Sequence, residues 1–418
     1  VTDIDLSQPI EPIYVDPRYT RMFAVVRWGY RPLGMLMLHC QAGMRTFSAE
    51  QLRHEVTRQF GWQVWEQSVS GTLNQVNSGT ARTLPPISVV VCTRDRALSL
   101  ERCLESLARL DYPDYEVIVI DNCTRDGSTH AAVARSGFRY VREDRPGLDW
   151  ARNRGWQEAR HEIVAYIDDD AIATPGWLRG VAHGFSSPEI MAVTGMVLPA
   201  EIETDAQDEF ERYGGMSKGF VSYTIYREHL SKRDMFWASN WGVGANMAYR
   251  RPLFDMIGGF DIALDVGTPT NGAGDIEFFF RLVSAGHALR YEPAAMIRHV
   301  HRRDRATLRR QIFNNGRSFP AYLLTIARNE PQRHRELLVF ALRWWIWPWL
   351  LRRLLIAIKQ RDWWTARMAW LELRGSFTAL RAYRESQAIA ARQRAPVLSD
   401  SQVAELARLG ARIEQFYG

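Results

Sequence analysis

The run Ile163-Val164-Ala165-Tyr166-Ile167 carries no charge and then passes straight into Asp168-Asp169-Asp170. An apolar, β-prone run of this kind reads as a buried strand, and the carboxylates that follow it stand at the strand's C-terminal end. Open α/β sheets place their ligands there. Three adjacent acids repel one another and favour protonation unless a cation sits among them, so a divalent metal is the simplest account. Oxygen ligation suits Mg²⁺ or Mn²⁺. The plainer alternative is a solvated acidic turn ahead of a helix starting at Thr174-Pro175-Gly176-Trp177.

The flanking sequence alternates strand and helix patterns. Ile87 to Cys92 is a nearly continuous apolar strand followed by the polar Thr93-Arg94-Asp95-Arg96, and Leu98, Leu100, Leu104, Leu107 and Leu110 then recur at near-helical spacing. Tyr115 to Ile120 is a second strand, ending in Asp121-Asn122, and Phe138 to Val141 a third. This order implies a parallel, doubly wound sheet. No GxGxxG follows the first strand, which speaks against a dinucleotide oxidoreductase, and no GxxxxGK[ST] makes it a P-loop enzyme. Asp121 is placed either to accept from a base or ribose or to cap the next helix. In Arg145 to Gly155, Gly147 permits close backbone approach and Arg152 sits early in a helix, an arrangement suited to a diphosphate. An ordinary turn with surface arginines is the alternative.

The 418 residues have room for two or three domains, with 46% hydrophobic and 24% charged residues as in a soluble globular protein. Residues 1–84 read as a small α+β accessory unit and linker, with two β runs within Arg21 to His39 separated at Gly29 to Gly34. A capping box at Ser48 to Gln51 starts a helix ending near Gln67 or at Gly61, and the polar Gly71 to Pro86 serves as linker. Cys40, Cys92, Cys103 and Cys123 make no CxxC pair, and no apolar leader is evident, so the expectation is reduced thiols in a cytoplasmic protein.

Charge is uneven. Ala306 to the end holds 19 Lys/Arg against 8 Asp/Glu, leaving 34 against 39 in the first 305 residues. A basic tail on an acidic body argues against nucleic acid as partner. The tail reads as helical, and Arg343 to Arg374 mixes seven tryptophans with many arginines. Its longest uncharged stretch, Trp344 to Leu351, is too short for the roughly 20 residues that cross a bilayer. Two readings stand side by side: peripheral contact with the inner face of a membrane, or packing on the catalytic domain or another subunit. Pro396 breaks the tail, and Ser399 to Gln402 starts a last helix.

Taken in order, CTRDR, VIDN, RPGLDWARNRG, YIDDDA with PGWL behind it, WGVGANMAYRR, GGFD, GAGDIEFFFRLVSAGHALRYEP and HVHRRD resemble the inverting glycosyltransferases of family 2, over roughly Ile87 to Asp304. The resemblance implies a GT-A fold of α/β class at residues 85–305, between the accessory unit and a helical region at 306–418. It implies transfer of a sugar from a nucleotide-sugar, UDP-linked by expectation, to a hydroxyl acceptor that is a glycan, a lipid-linked molecule or a small molecule. Thr93, Arg94, Asp95, Asp121, Arg152, Asn153, Asp168 and Asp169 correspond to donor contacts. Asp168 and Asp170 resemble the DxD pair that binds Mn²⁺ or Mg²⁺, with His299 or His301 as a further ligand. Asp275 matches the general base of an "ED" motif whose acidic first position is Gly274 here, and Glu277 is the fallback.

These residue types suit the chemistry. A cation neutralises charge on a departing diphosphate, and a positioned carboxylate takes the acceptor's proton for a gain of typically ~10²–10⁴-fold. Trp237, Trp241 and Asn246 are candidates for the acceptor pocket, with core packing the equal alternative for any one indole. A degenerate sugar-binding scaffold subunit and, further off, a nucleotidyltransferase remain as other readings, and a homo-oligomer is compatible with the sequence.

Overall fold

The computed structural model describes residues 1–40, 45–77 and 84–394. Its N-terminal unit contains β1 (Thr2–Asp5), β2 (Ile13–Tyr14), β3 (Arg21–Trp28), β4 (Arg31–His39) and β5 (Thr46–Phe47), then a helix over Ala49–Asn77. β1, β3 and β4 make one sheet, and β2 pairs with β5. The chain reverses at Gly29-Tyr30, where Gly29 takes φ +57°, and Pro32 to Gly34 lie inside β4. The two expected runs are thus separated inside the expected region, but by Gly29-Tyr30 alone and not by Pro32 to Gly34. β4 is an edge strand whose register shifts opposite Val26 and Arg27, the setting in which a strand tolerates proline. Gly34 serves packing, since a Cβ there would lie 2.0 Å from the Phe60 ring of the helix.

The Ser48/Gln51 capping box forms, with Ser48 Oγ accepting from Gln51 N at 3.2 Å. That helix runs through Gly61 to Asn77, so part of the expected linker is helical. A single interior glycine costs only ~1 kcal/mol, and Leu52, Val56 and Phe60 anchor the helix on the sheet.

The large sheet is built from β6 (Ile87–Thr93), β7 (Tyr115–Asn122), β8 (Arg139–Glu143), β9 (Ile163–Asp168), β10 (Ala171–Ala173), β11 (Ile190–Pro199), β12 (Tyr223–Ile225), β13 (Asn246–Arg250) and β14 (Ala288–His299). Its order is β10-β14-β11-β13-β9-β6-β7-β8, with β12 on β14. β8, β7, β6 and β9 are parallel as expected. Beyond β9 the sheet is mixed: β13 runs antiparallel to both β9 and β11, and β14 carries β10 and β12 antiparallel. Alternate residues of the parallel strands enter two separate cores. Val90, Ile118 and Val164 pack on one face, while Val89, Val91, Val119 and Ala165 pack on the other. Both faces are thus covered, which explains why these strands read as continuous apolar runs.

The tail is helical over Arg305–Asn329, His334–Phe340, a π-helical Ala341–Arg352 holding Pro348, Arg353–Lys359 and Trp363–Arg394. Asp304 caps the first of these, accepting from Ala306 N and Thr307 N. Gly316 and Gly375 let the helices Arg305–Asn329 and Trp363–Arg394 touch, since a Cβ at either would lie 2.0 Å from a backbone oxygen of the other. Tyr322, Phe340, Trp345 and Leu350 enter the same core as Val90 and Val164, so much of the tail packs on the sheet domain. Among the described residues no helix is long and apolar enough to cross a membrane. The four cysteines are free, with only Cys103 fully buried. Pro396 and Ser399 to Gln402 lie outside the described residues.

Candidate active site

Parallel register brings the strand tips together, setting Cys92 beside Asp168 and Thr93 beside Asp121. The acids after β9 then divide their work. Asp169 is buried and takes the Thr93 hydroxyl on Oδ2 at 2.6 Å and Arg96 Nη1 on Oδ1 at 3.1 Å. Arg96 reaches Asp170 Oδ2 from the same nitrogen, also at 3.1 Å. Asp170 Oδ1 is buried without an aligned hydrogen-bond donor, although His299 Nε2 lies 3.0 Å away.

Asp168, Asp170 and His299 each offer one atom to a cluster whose members lie within 4.8 Å of one another. β10 and β14 create it, because pairing Ala171 with His299 delivers the imidazole to the end of the acidic run. Burial and the neighbouring Asp170 push Asp168 up to about 6. Burial also works against charge on Asp170, but His299, Arg96 and Arg302 outweigh it and hold that carboxyl below the ordinary range. His299 is raised: its burial opposes protonation, and Asp170 and Asp168 override the burial. Two carboxylate oxygens, one of them unsatisfied, and an imidazole nitrogen form a donor set that fits Mn²⁺ or Mg²⁺. His301 is turned differently. Its Nε2 meets Glu211 Oε1 at 2.8 Å and its Nδ1 faces His299 Nδ1 at 3.2 Å, so it braces His299.

A cavity of about 930 Å³ opens beside this cluster, and both Asp168 and Asp275 line it. Asp275 starts the helix Gly274–Ser284, with Oδ1 accepting its neighbour Ile276 N at 2.9 Å and Oδ2 accepting Gly244 N at 2.7 Å. It is partly open to the cavity. Burial among protein atoms, then the charge of Asp265, raises its pKa, with Arg152 opposing. Glu277 is buried and held by both Nε and Nη2 of Arg281, which occupies the fallback carboxylate.

Arg152 lines the cavity while bridging Asp149 Oδ1 at 2.9 Å and Asp265 Oδ2 at 2.6 Å. A Cβ at Gly274 would lie 2.1 Å from Asp149 Oδ2 and 2.8 Å from Asp265 Oδ2. The acid missing at position 274 is thus matched by two carboxylates crowding into the same space from elsewhere in the chain.

The other expected site residues are placed as follows. Asp121 is buried, accepting Thr124 N at 3.1 Å and Tyr140 OH at 2.6 Å. Asp95, at φ +54°, accepts Arg125 N at 3.0 Å, and Arg94 lies exposed beside it. Asn153 uses both ends of its amide on the backbone of Phe260. Asn246 is fully engaged by Met196 O, Ala295 O and the Trp177 indole. Trp241 is a core residue, whereas Trp237 lines the cavity. An amide or indole in a motif announces a hydrogen bond or a packed ring but not the partner, and here several partners are distant backbone.

The sequence does not single out Arg96, Arg302, Lys218 or the far wall of the cavity. Arg96 and Arg302 directly follow the candidate residues Asp95 and His301, so adjacency is the available signal. Lys218 lines the cavity and its amine is lowered by burial, with Asp275 opposing. The far wall comes from the tail: Gln311, Asn314, Asn315 and Ser318 lie on one helix face at three- and four-residue spacing, joined by Phe319, Trp345 and Trp349.

Residues 88–258 match the family model described as Glycosyl transferase family 2. Over these residues the chain is similar to that family. Its mixed sheet, covered by helices, is the GT-A fold. Similar proteins include the glycosyltransferase AglE of Haloferax volcanii, 26% identical over 218 residues, covering 50% of this chain and 65% of AglE. The pre-mycofactocin glycosyltransferase of Mycobacterium tuberculosis is 26% identical over 243 residues, or 56% of this chain and 47% of that protein. The glucosyl-dolichyl phosphate glucuronosyltransferase of Haloferax volcanii is 27% identical over 192 residues, or 42% and 56%. The chain therefore spans about half to two thirds of the length of these relatives. Among solved structures, a mannosyltransferase of Pyrobaculum calidifontis in complex with GDP-Man and Mn²⁺ is 19% identical, with a TM-score of 0.43, covering 85% of this chain and 89% of that one.

Proposed function

We propose that this chain is a metal-dependent, inverting family 2 glycosyltransferase that moves a sugar from a nucleoside-diphosphate sugar to a hydroxyl acceptor. One observation carries the reading: the strand-tip cluster at Asp168 and the carboxylate of Asp275 open onto one cavity. Asp168, Asp170 and His299 would hold the cation, which when bound supplies neutralisation of the charge growing on the leaving diphosphate. Arg96 and Arg302, both on the cavity wall, add fixed positive charge on the same side.

Asp275 does the proton work. Its carboxylate is fixed by two backbone N–H groups and faces the cavity, where it takes the proton of the acceptor hydroxyl as that oxygen attacks the anomeric carbon. Attack from the side opposite the leaving diphosphate inverts the anomeric centre. The raised pKa makes Asp275 a stronger base than an exposed aspartate, provided the pH is high enough to ionise it. On the acceptor side, Gln311, Asn314 and Asn315 offer side-chain amides that have no partner among the described residues, next to the rings of Trp237, Phe319 and Trp349. Amides beside aromatic faces suit a polyhydroxylated acceptor such as a glycan.

The test is nucleotide release from a panel of UDP-, GDP- and dTDP-sugars, with UDP-sugars tried first, with and without Mn²⁺, in wild type and Asp275→Asn. Metal-dependent release that the substitution removes supports the reading. Binding of a sugar without any release in either protein favours the scaffold alternative.

A further inference from the structure

The helix Trp363–Arg394 has two sharply different sides. Its inner side buries Ala366, Ala369, Leu373, Gly375, Ala379 and Tyr383, small residues for the most part, so that the crossing with Arg305–Asn329 can be close. Its outer side is one seam at alternating four- and three-residue steps. Exposed Trp363, Trp370 and Phe377 interleave with exposed Arg367, Arg374 and Arg381 over about 27 Å of helix. Phe377 is 77% exposed and Trp363 66%, values that no core function explains.

The positive charge of the seam is not compensated by neighbouring acids. Among the described residues Arg367, Arg374 and Arg381 have no ion-pair or hydrogen-bond partner, whereas Arg303, Arg305 and Arg353 nearby are all paired with carboxylates. On the preceding helix Arg353–Lys359, Leu355, Ile356 and Ile358 are exposed beside Lys359, and Arg361 follows it; among the described residues Lys359 and Arg361 are equally unpaired. Acids are scarce here. Between Ala341 and Arg384 there are only Asp362 and Glu372, and Glu372 is consumed by Tyr213, Trp349 and Arg353.

We propose that this face docks on the surface of a bilayer that contains anionic lipid. Aromatic rings and aliphatic side chains settle at the boundary between headgroups and acyl chains, and guanidinium groups beside them meet lipid phosphates. A nucleic acid would satisfy the arginines and stack on the rings but would leave Leu355, Ile356 and Ile358 in water. A second copy of the chain would bring like-charged seams together with no acids between them. The inference concerns the outer surface alone and does not depend on what the cavity does.

The test is flotation of the full chain with phosphatidylcholine vesicles that do or do not contain phosphatidylglycerol. Two variants accompany it: Arg367→Gln/Arg374→Gln/Arg381→Gln and Trp363→Ser/Trp370→Ser/Phe377→Ser. All six positions are exposed, and circular dichroism checks that both variants stay folded. The wild type floats with the anionic vesicles only, less so at high salt, and each variant loses about tenfold or more in partitioning. A wild type that stays at the bottom with anionic vesicles overturns the proposal, as do variants that float equally well. Sedimentation that shows self-association lost in these variants, without vesicle binding in the wild type, overturns it in favour of a second copy. Oligonucleotide binding without vesicle binding overturns it as well.

Discussion

Asp275 Oδ2 accepts the backbone N–H of Gly244 at 2.7 Å, and that contact allows no side chain at 244. A Cβ there would lie 2.8 Å from both Asp275 Oδ2 and Arg152 Nη2. The glycine thus lets a loop grip the carboxylate from behind while its front stays on the cavity. Gly244→Ala is expected to lower turnover by displacing the base while leaving the strand-tip cluster alone. Steady-state kinetics beside metal titration measure both, and unchanged turnover would show that the grip is not needed.

Asp275→Asn removes a proton acceptor and little volume. The expected loss in turnover is ~10²–10⁴-fold, with nucleotide affinity nearly unchanged. Undiminished turnover would move the base elsewhere, although Glu277 is a poor substitute while Arg281 holds both its oxygens.

The pH profile follows from the same carboxylate. Its pKa is raised, and the ionised form is the active one, so activity is lost as pH falls through the raised value. The acid limb of kcat/KM is therefore expected above the ordinary aspartate range, and a limb at the ordinary value would contradict the assignment.

Asp149 and Gly274 form a second, testable pair. Asp149 is buried with Oδ2 unpartnered, and burial, then the charge of Asp265, raises its pKa well above the ordinary range. A raised acid stabilises the fold through its protonated form, an effect fully present below the unfolded value and lost as pH rises through the folded one. Asp149→Asn is expected to remove that part of the pH dependence, read as the difference between wild type and variant in denaturant titrations across the window. Gly274→Glu, which restores an acid ahead of Asp275, is expected to cost about 1–3 kcal/mol by overpacking against Asp149. Combining it with Asp149→Ala should recover part of that loss, and strict additivity would show that the two do not share the space.

Sequence alone disclosed the parallel half of the sheet because its strands are apolar on both faces and end in polar loops. It did not disclose the mixed half. β10 and β12 are three residues each, and what makes them strands is their pairing with β14, a contact over more than 60 residues. The same limit applies to the site. Asp168, Asp170 and Asp275 stand out as carboxylates at a strand tip and a helix start. Arg96, Lys218 and the tail's amide face enter only through tertiary packing, and Asn153 and Asn246 look functional until Phe260, Met196 and Ala295 are seen to occupy them.

The close helix crossing gives a prediction about the tail. Gly316→Ala would stabilise an isolated helix by roughly 1 kcal/mol, yet here its Cβ would lie 2.0 Å from Glu372 O. Thermal unfolding is expected to show net destabilisation, together with impaired acceptor use because Glu372, Trp345 and Trp349 shift at the cavity wall. A stabilised variant would show that the crossing relaxes freely.

Isothermal titration of the full chain with UDP and GDP, in Mn²⁺ and in chelator, tests the central claim most directly. The account predicts nucleotide binding that requires the metal in wild type and weakens by about 10-fold or more in Asp170→Ala and His299→Ala. Metal-independent binding, or equal metal-dependent affinity in wild type and both variants, would contradict a cation held by Asp168, Asp170 and His299.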